Sequence, residues 1–146
     1  MPDKRTIEKA KKDRAAGKSA STQAGEFVHD EIDKIRKGKH GARSAKQAIA
    51  IGLSEARRAG VKLPPPKNGS EELKRKAAQD DERGRSHKPV SVKRSRARTK
   101  ALKKEPTDTV SSEALSSQAK SVAKRRSASD RSNSAKKAAR TRARNK

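Results

Sequence analysis

The chain has no cysteine, no tryptophan and no tyrosine, and Phe27 is the single phenylalanine among 146 residues. Without cysteine there is no disulfide framework and no thiolate metal site. With one aromatic ring there is no platform on which successive bases of a single strand could stack, which excludes sequence reading of that kind. Large apolar side chains are scarce too. Leu, Ile, Val and Phe number 17, about 12% of the chain, where less than ~20% combined with high net charge goes with disorder. No apolar run approaches the ~18 residues of a membrane span. The opening Met1-Pro2-Asp3-Lys4-Arg5 lacks the apolar stretch of a secretory signal, so a cytoplasmic location is expected.

Positive charge is what the chain has in abundance. It carries 41 Lys and Arg against 17 Asp and Glu, a net charge of +24. Such a chain calls for a polyanion, and nucleic acid is the most abundant one in a cell. With base stacking excluded, the contact left is with phosphates, which is salt-sensitive and largely blind to sequence. DNA is therefore the expected partner, in a nucleoid-associated setting, and RNA or the ribosome stays open by the same physics. The charge is unevenly spread. Residues 1–66 hold 16 basic and 8 acidic side chains, 67–83 hold five of each, and 84–146 hold 20 and 4. Nine of the 17 large apolar residues fall between Phe27 and Leu63, so a core is expected only there.

Asp3 caps an expected short helix to Ala16, marginal because Ile7 is its one large apolar side chain. Ser19-Ala20-Ser21-Thr22 reads as a polar hinge. Beyond it, Ala24, Phe27, Val28, Ile32 and Ile35 mark one face of an amphipathic helix over about 22–37, ended by Gly38. Ser44 and Gln47 form a capping box for a second helix over 45–59, with Ala45, Ala48, Ile49, Gly52, Leu53 and Ala56 as its stripe. Gly60 and Pro64-Pro65-Pro66 stop it. The pair reads as a helical hairpin spanning 19–66 that buries little, which raises homodimerisation as a way to complete it. Ile51 lies off the stripe and is the residue expected to meet a partner. Ser70 caps a neutral helix or linker to about Arg83. The basic stretch 84–146 is expected to be a disordered tail with transient helices over Val92–Lys104, Ser112–Arg126 and Ser134–Arg144. The expected fold is thus mostly α with extensive disorder. Deleting 84–146 should then remove most affinity and leave the hairpin intact.

Gly38-Lys39-His40-Gly41 is a GxxG loop with basic variable positions, the form with which some RNA-binding modules clamp phosphates. No period-2 strands accompany it, and a helix stop followed by a helix start needs the same glycines, so the structural role is favoured. Lys39, His40 and Arg43 remain candidate phosphate contacts, and Lys46 and Arg57 form a basic strip beside Ala50. The denser clusters carry more weight: Lys93, Arg94, Arg96 and Arg98; Lys124, Arg125 and Arg126; and Lys136, Lys137, Arg140, Arg142 and Arg144. Catalysis is not expected. His29, His40 and His87 stand in separate segments without ligand spacing, the acidic residues of the first hairpin helix read as helix electrostatics, and no Walker-type phosphate-binding loop is present. No metal and no cofactor is implied.

The phrase Ser19-Ala20-Ser21-Thr22-Gln23-Ala24-Gly25-Glu26-Phe27-Val28, with Gly38-Lys39-His40-Gly41-Ala42-Arg43-Ser44-Ala45-Lys46-Gln47-Ala48-Ile49-Ala50-Ile51-Gly52-Leu53, resembles a family of small, strongly basic bacterial proteins of uncharacterised function, over about residues 4–66. The stretch with Leu115-Ser116-Ser117-Gln118-Ala119-Lys120 and Ala138-Ala139-Arg140-Thr141 is similar in bulk character to a linker-histone tail. The resemblance implies a bacterial, cytoplasmic setting and brings no site residues. Two functions therefore stand as expectations: non-catalytic, sequence-nonspecific DNA binding through phosphates, or a helical protein-interaction module with a solubilising basic tail.

Overall fold

A computed structural model describes residues 2–146. The chain is helical almost throughout: α1 is Lys4–Ala15, α2 Ala20–Arg36, α3 Ala45–Arg58, α4 Glu71–Ser86, α5 Val92–Leu102, α6 Ser112–Arg125 and α7 Ala128–Arg144, with a single 3-10 turn at Asp108–Val110. No strand occurs among the described residues. Side-chain caps explain where the helices begin. Arg5 N–H donates to Asp3 at 3.0 Å, Thr22 N–H to Ser19 at 3.3 Å, and Gln47 N–H to Ser44 at 3.1 Å. Leu73, Arg94 and Asp130 N–H groups likewise donate to Ser70, Ser91 and Ser127. Each such cap fills one orphan donor and is worth about 1 kcal/mol. The Ser19–Thr22 segment is thus the capped first turn of α2 and not a hinge.

Residues up to Ser111 form one compact unit and Ser112–Lys146 a second. In the first unit, α2 and α3 pair as the hairpin, α1 packs on α2 and α4 on α3. The hairpin crossing is close enough to need glycine. A Cβ at Gly52 would lie 2.7 Å from the Val28 Cα, a backbone contact that no rotamer relieves. One core cluster joins Ala10, Ala24, Phe27, Ala56 and Val61, with Ile7, Ala20, Leu53 and Leu63 packed against it. A second, at the connection end of the hairpin, joins Ile35, Ala42, Ala48 and Val110 beside Ile32.

Val110 reaches that cluster because the segment after α5 turns back as a strap. Gly41 N–H donates to Leu102 O and Ala42 N–H to Pro106 O, both at 2.9 Å. Thr109 Oγ1 donates to Ala42 O at 2.8 Å, and Arg36 Nε to Val110 O at 3.1 Å. A Cβ at Gly41 would collide with the Glu105 carbonyl, so the strap lies directly on this glycine.

The expectation of extensive disorder is overturned: residues 84–146 are built of α5, the strap, α6 and α7. Counting Leu, Ile, Val and Phe missed the material used for burial. Alanines 10, 24, 42, 45, 48, 56 and 77 are all buried, and small side chains pack at short helix separations where each contributes its whole surface. Glu31 and Asp80 are buried as well, at 1% exposure each, Asp80 against Arg58 of α3 and Glu31 beside His40 of the connection. In the later segments Ala, Leu, Lys and Arg are strong helix formers, and their serine caps set the starts. Ile51 is also corrected. It is buried, 7% exposed, because it leads round α3 to Ser54 and Arg58, where α4 docks. α1, α4 and the strap pack on the hairpin and add to what it buries, so the shortage of burial that raised homodimerisation is met within the chain.

Candidate nucleic-acid interface

The hairpin connection is a helix stop followed by a docking point. Gly38, at φ +70°, donates its N–H to Ile35 O at 2.9 Å, and Lys39 N–H reaches Lys34 O at 3.0 Å. The amides that might have cradled a phosphate, those of Gly41 and Ala42, already serve the strap's carbonyls. Lys39, Arg43 and Lys46 remain exposed, with Arg43 3.8 Å from Glu105. His40 does not join them. Its side chain is 13% exposed, with Nε2 3.3 Å from Glu31 Oε1 and Nδ1 3.0 Å from Gly41 O. Arg57 is half-buried and donates to Pro64 O at 3.3 Å, so the expected strip from Lys46 ends inside a groove.

The other candidate cations stand in solvent. On α5, Lys93 and Arg96 share one side with Lys100, while Arg94 and Arg98 lie on another. On α7, Lys136, Arg140 and Arg144 follow at helical spacing with Lys137 beside them, a stripe about 100° wide at 100° per residue. Arg142 lies on the far side with Arg131. Lys124 and Arg125 end α6, and Arg126, just beyond it, donates to Asp130 O at 3.1 Å and to Ser134 Oγ. Every residue from 124 to 146 is exposed. Among the described residues, none of the candidate cations of α6 and α7 is ion-paired with a carboxylate.

Two buried carboxylates were not anticipated. Glu31 sits on α2 between Phe27 and Ile35, on the apolar face itself, and that position was the available signal. Burial raises its pKa above 4.5, the charge of Glu55 raises it further, and His40, Lys34 and Arg98 pull it back down. Burial also works against the charge of Lys34, yet its 2.8 Å contact with Asp30 and the nearby Glu55 and Glu31 outweigh it and raise its pKa above 10.5. Asp80 of α4 accepts from Arg58 Nε at 2.8 Å and Ser54 Oγ at 2.7 Å. Of these groups, Asp80 and Arg58 join two helices, α4 and α3, whereas Lys34 and Asp30 pair within α2 and Glu31 meets His40 of the connection. No group of three His, Cys, Asp or Glu side chains is placed to hold a metal among the described residues, and no helix there is long and apolar enough to cross a membrane.

Residues 9–67 match a family of unknown function (DUF6496). The match covers most of α1 and the whole hairpin, and agrees with the resemblance to an uncharacterised family read from nearly the same span. It stops before α4, the strap and the α6–α7 unit. No curated protein and no solved structure matches the chain.

Proposed function

We propose that the protein binds nucleic acid, DNA foremost, without catalysis and without sequence preference, through phosphate contacts made by exposed cations on α5, α6 and α7. One observation carries this reading: the α7 stripe of Lys136, Lys137, Arg140 and Arg144 is held in solvent on a helix, with no carboxylate partner. Unpaired cations of one sign raise self-repulsion, and a phosphate backbone relieves it while releasing counterions. Lys39, Arg43 and Lys46 form a smaller contact on the hairpin, and His40 is left out of it. A nucleoid-associated role in a bacterial cytoplasm, with the linker-histone-like character of the basic segment, belongs to the same proposal.

The test is equilibrium binding of the full-length protein to a 20-base-pair duplex between 50 and 200 mM salt. If ~10 cations engage phosphates, log affinity falls against log salt with a slope near −9. A slope shallower than about −3 contradicts the reading. Parallel titration of duplex RNA decides between the two polyanions: tighter binding to RNA would transfer the same contacts to an RNA-associated role.

A further inference from the structure

A groove in the first unit is bounded by α1, α2, the Ala59–Pro64 segment and the end of α4. Its volume is about 950 Å³, within the range of small-molecule sites. The floor is aliphatic: Ile7, Ala10, Val61 and Leu63 line it, above Phe27. Phe27 is itself 0% exposed, so the groove offers no ring face against which a base could stack. The walls are cationic. Lys11, Arg14, Arg57, Lys62 and Arg85 border the groove, with Asp81 as the one acidic lining residue among the described residues.

Arg57 is the under-satisfied member. Its buried Nε has no hydrogen-bond partner, and its Nη2 has only the 3.3 Å contact with Pro64 O. Nε is closed to the groove, but the Nη end keeps a single 3.3 Å contact, with Pro64 O, so an anion lodged against it gains charge-assisted hydrogen bonds that the protein leaves unmade. An aliphatic floor beside such a head-binding wall selects a ligand with both parts.

We propose that this groove binds an anion carried on an aliphatic chain, a fatty-acid carboxylate or an alkyl phosphate, with the head against Arg57 and the chain over Ile7, Ala10, Val61 and Leu63. The site is distinct from the proposed nucleic-acid contacts of its own unit, since Lys39, Arg43, Lys46 and the α5 cations are not among its lining residues. Each methylene buried along the floor tightens binding by about fourfold.

Because the chain has one phenylalanine, full-length protein grown with 4-fluorophenylalanine gives a single 19F resonance beneath the groove. Monomeric octyl phosphate should shift it saturably, and decyl phosphate, two methylenes longer, should do so at roughly fifteenfold lower concentration. Inorganic phosphate, which has the head alone, and octyl glucoside, which has the chain alone, should each need at least tenfold more. Arg57→Gln should weaken octyl phosphate at least tenfold, and Arg85→Gln carries the test if circular dichroism shows Arg57→Gln unfolded. Arg140→Gln, on α7, should change nothing. The proposal is overturned by affinity independent of chain length, by inorganic phosphate acting as well as octyl phosphate, or by equal losses in the α7 variant. Phosphatidic acid vesicles separate the sources: a shift with vesicles and none with monomeric octyl phosphate rejects a free amphiphile as the ligand.

Discussion

Val110→Ala is the perturbation that most sharply separates a folded second half from a loose one. Val110 is 0% exposed and completes the cluster of Ile35, Ala42 and Ala48, although it comes from a segment far along the chain. The substitution removes two methyl groups. At ~0.8 kcal/mol per buried carbon, plus the cavity left among side chains that are already small, the loss is about 1.5–3 kcal/mol. In urea denaturation followed by circular dichroism the midpoint should fall by about 1 M with the slope unchanged, for a slope of ~1–3 kcal/mol/M. Hydrogen exchange localises the effect. The amides of Gly41 and Ala42, which donate to Leu102 O and Pro106 O, should exchange faster in the variant than in the wild type. A loss below about 0.5 kcal/mol, the size of a surface change, with both amides unprotected in the wild type, would refute the strap.

Three further outcomes follow from the packing and the buried charges. Gly52→Ala should cost roughly 2–3 kcal/mol or more, since its Cβ would meet the Val28 Cα at 2.7 Å; an unchanged urea midpoint contradicts the close crossing. Asp80→Ala strands Arg58, whose side chain is 21% exposed, and should cost about 3 kcal/mol. Adding Arg58→Met should recover part of that, and no recovery would mean the pair is not coupled. Glu31 has a pKa raised chiefly by burial, so its folded state holds the proton more tightly than its unfolded state does. Its contribution is fully present below the ordinary value of 4.5 and is lost as pH rises through the raised folded value. Wild-type stability measured relative to Glu31→Gln should therefore increase as pH falls from neutral towards that value, and a flat or opposite trend rejects the assignment.

Local chemistry made the helices legible. Asp3, Ser44 and Ser70 cap where the sequence places caps, and Gly38 and Gly60 stop α2 and α3. What the pattern did not reveal was tertiary. Nothing local to Val110 says that it will dock against Ile35 and Ala48, because that contact depends on the path of the strap through Glu105 and Pro106. The acidic residues of α2 read as helix electrostatics, and nothing local shows that Glu31 is buried beside His40 or Asp80 against Arg58. Ile51 was misjudged for a related reason: a stripe fitted to one partner helix ignores a second, and α3 is covered on two sides. Charge density singles out the α5, α6 and α7 cations as candidates, and the structure leaves them exposed. It does not show the burial of His40 and Arg57, which is decided by α2 and by the groove. One practical consequence is that deleting 84–146 removes Val110 from the core, so the α6–α7 unit must be probed by substitution within the full chain.

The most direct measurement is therefore the salt dependence of duplex DNA binding by the full-length protein and by its Lys136→Gln, Lys137→Gln, Arg140→Gln, Arg144→Gln variant, which keeps the helix and removes the stripe. At about 0.9 per lost phosphate contact, the slope of log affinity against log salt should become shallower by roughly 3.6, with weaker binding at 50 mM salt. Equal slopes and equal affinities for the two proteins would contradict the assignment of the α7 stripe to the phosphate backbone.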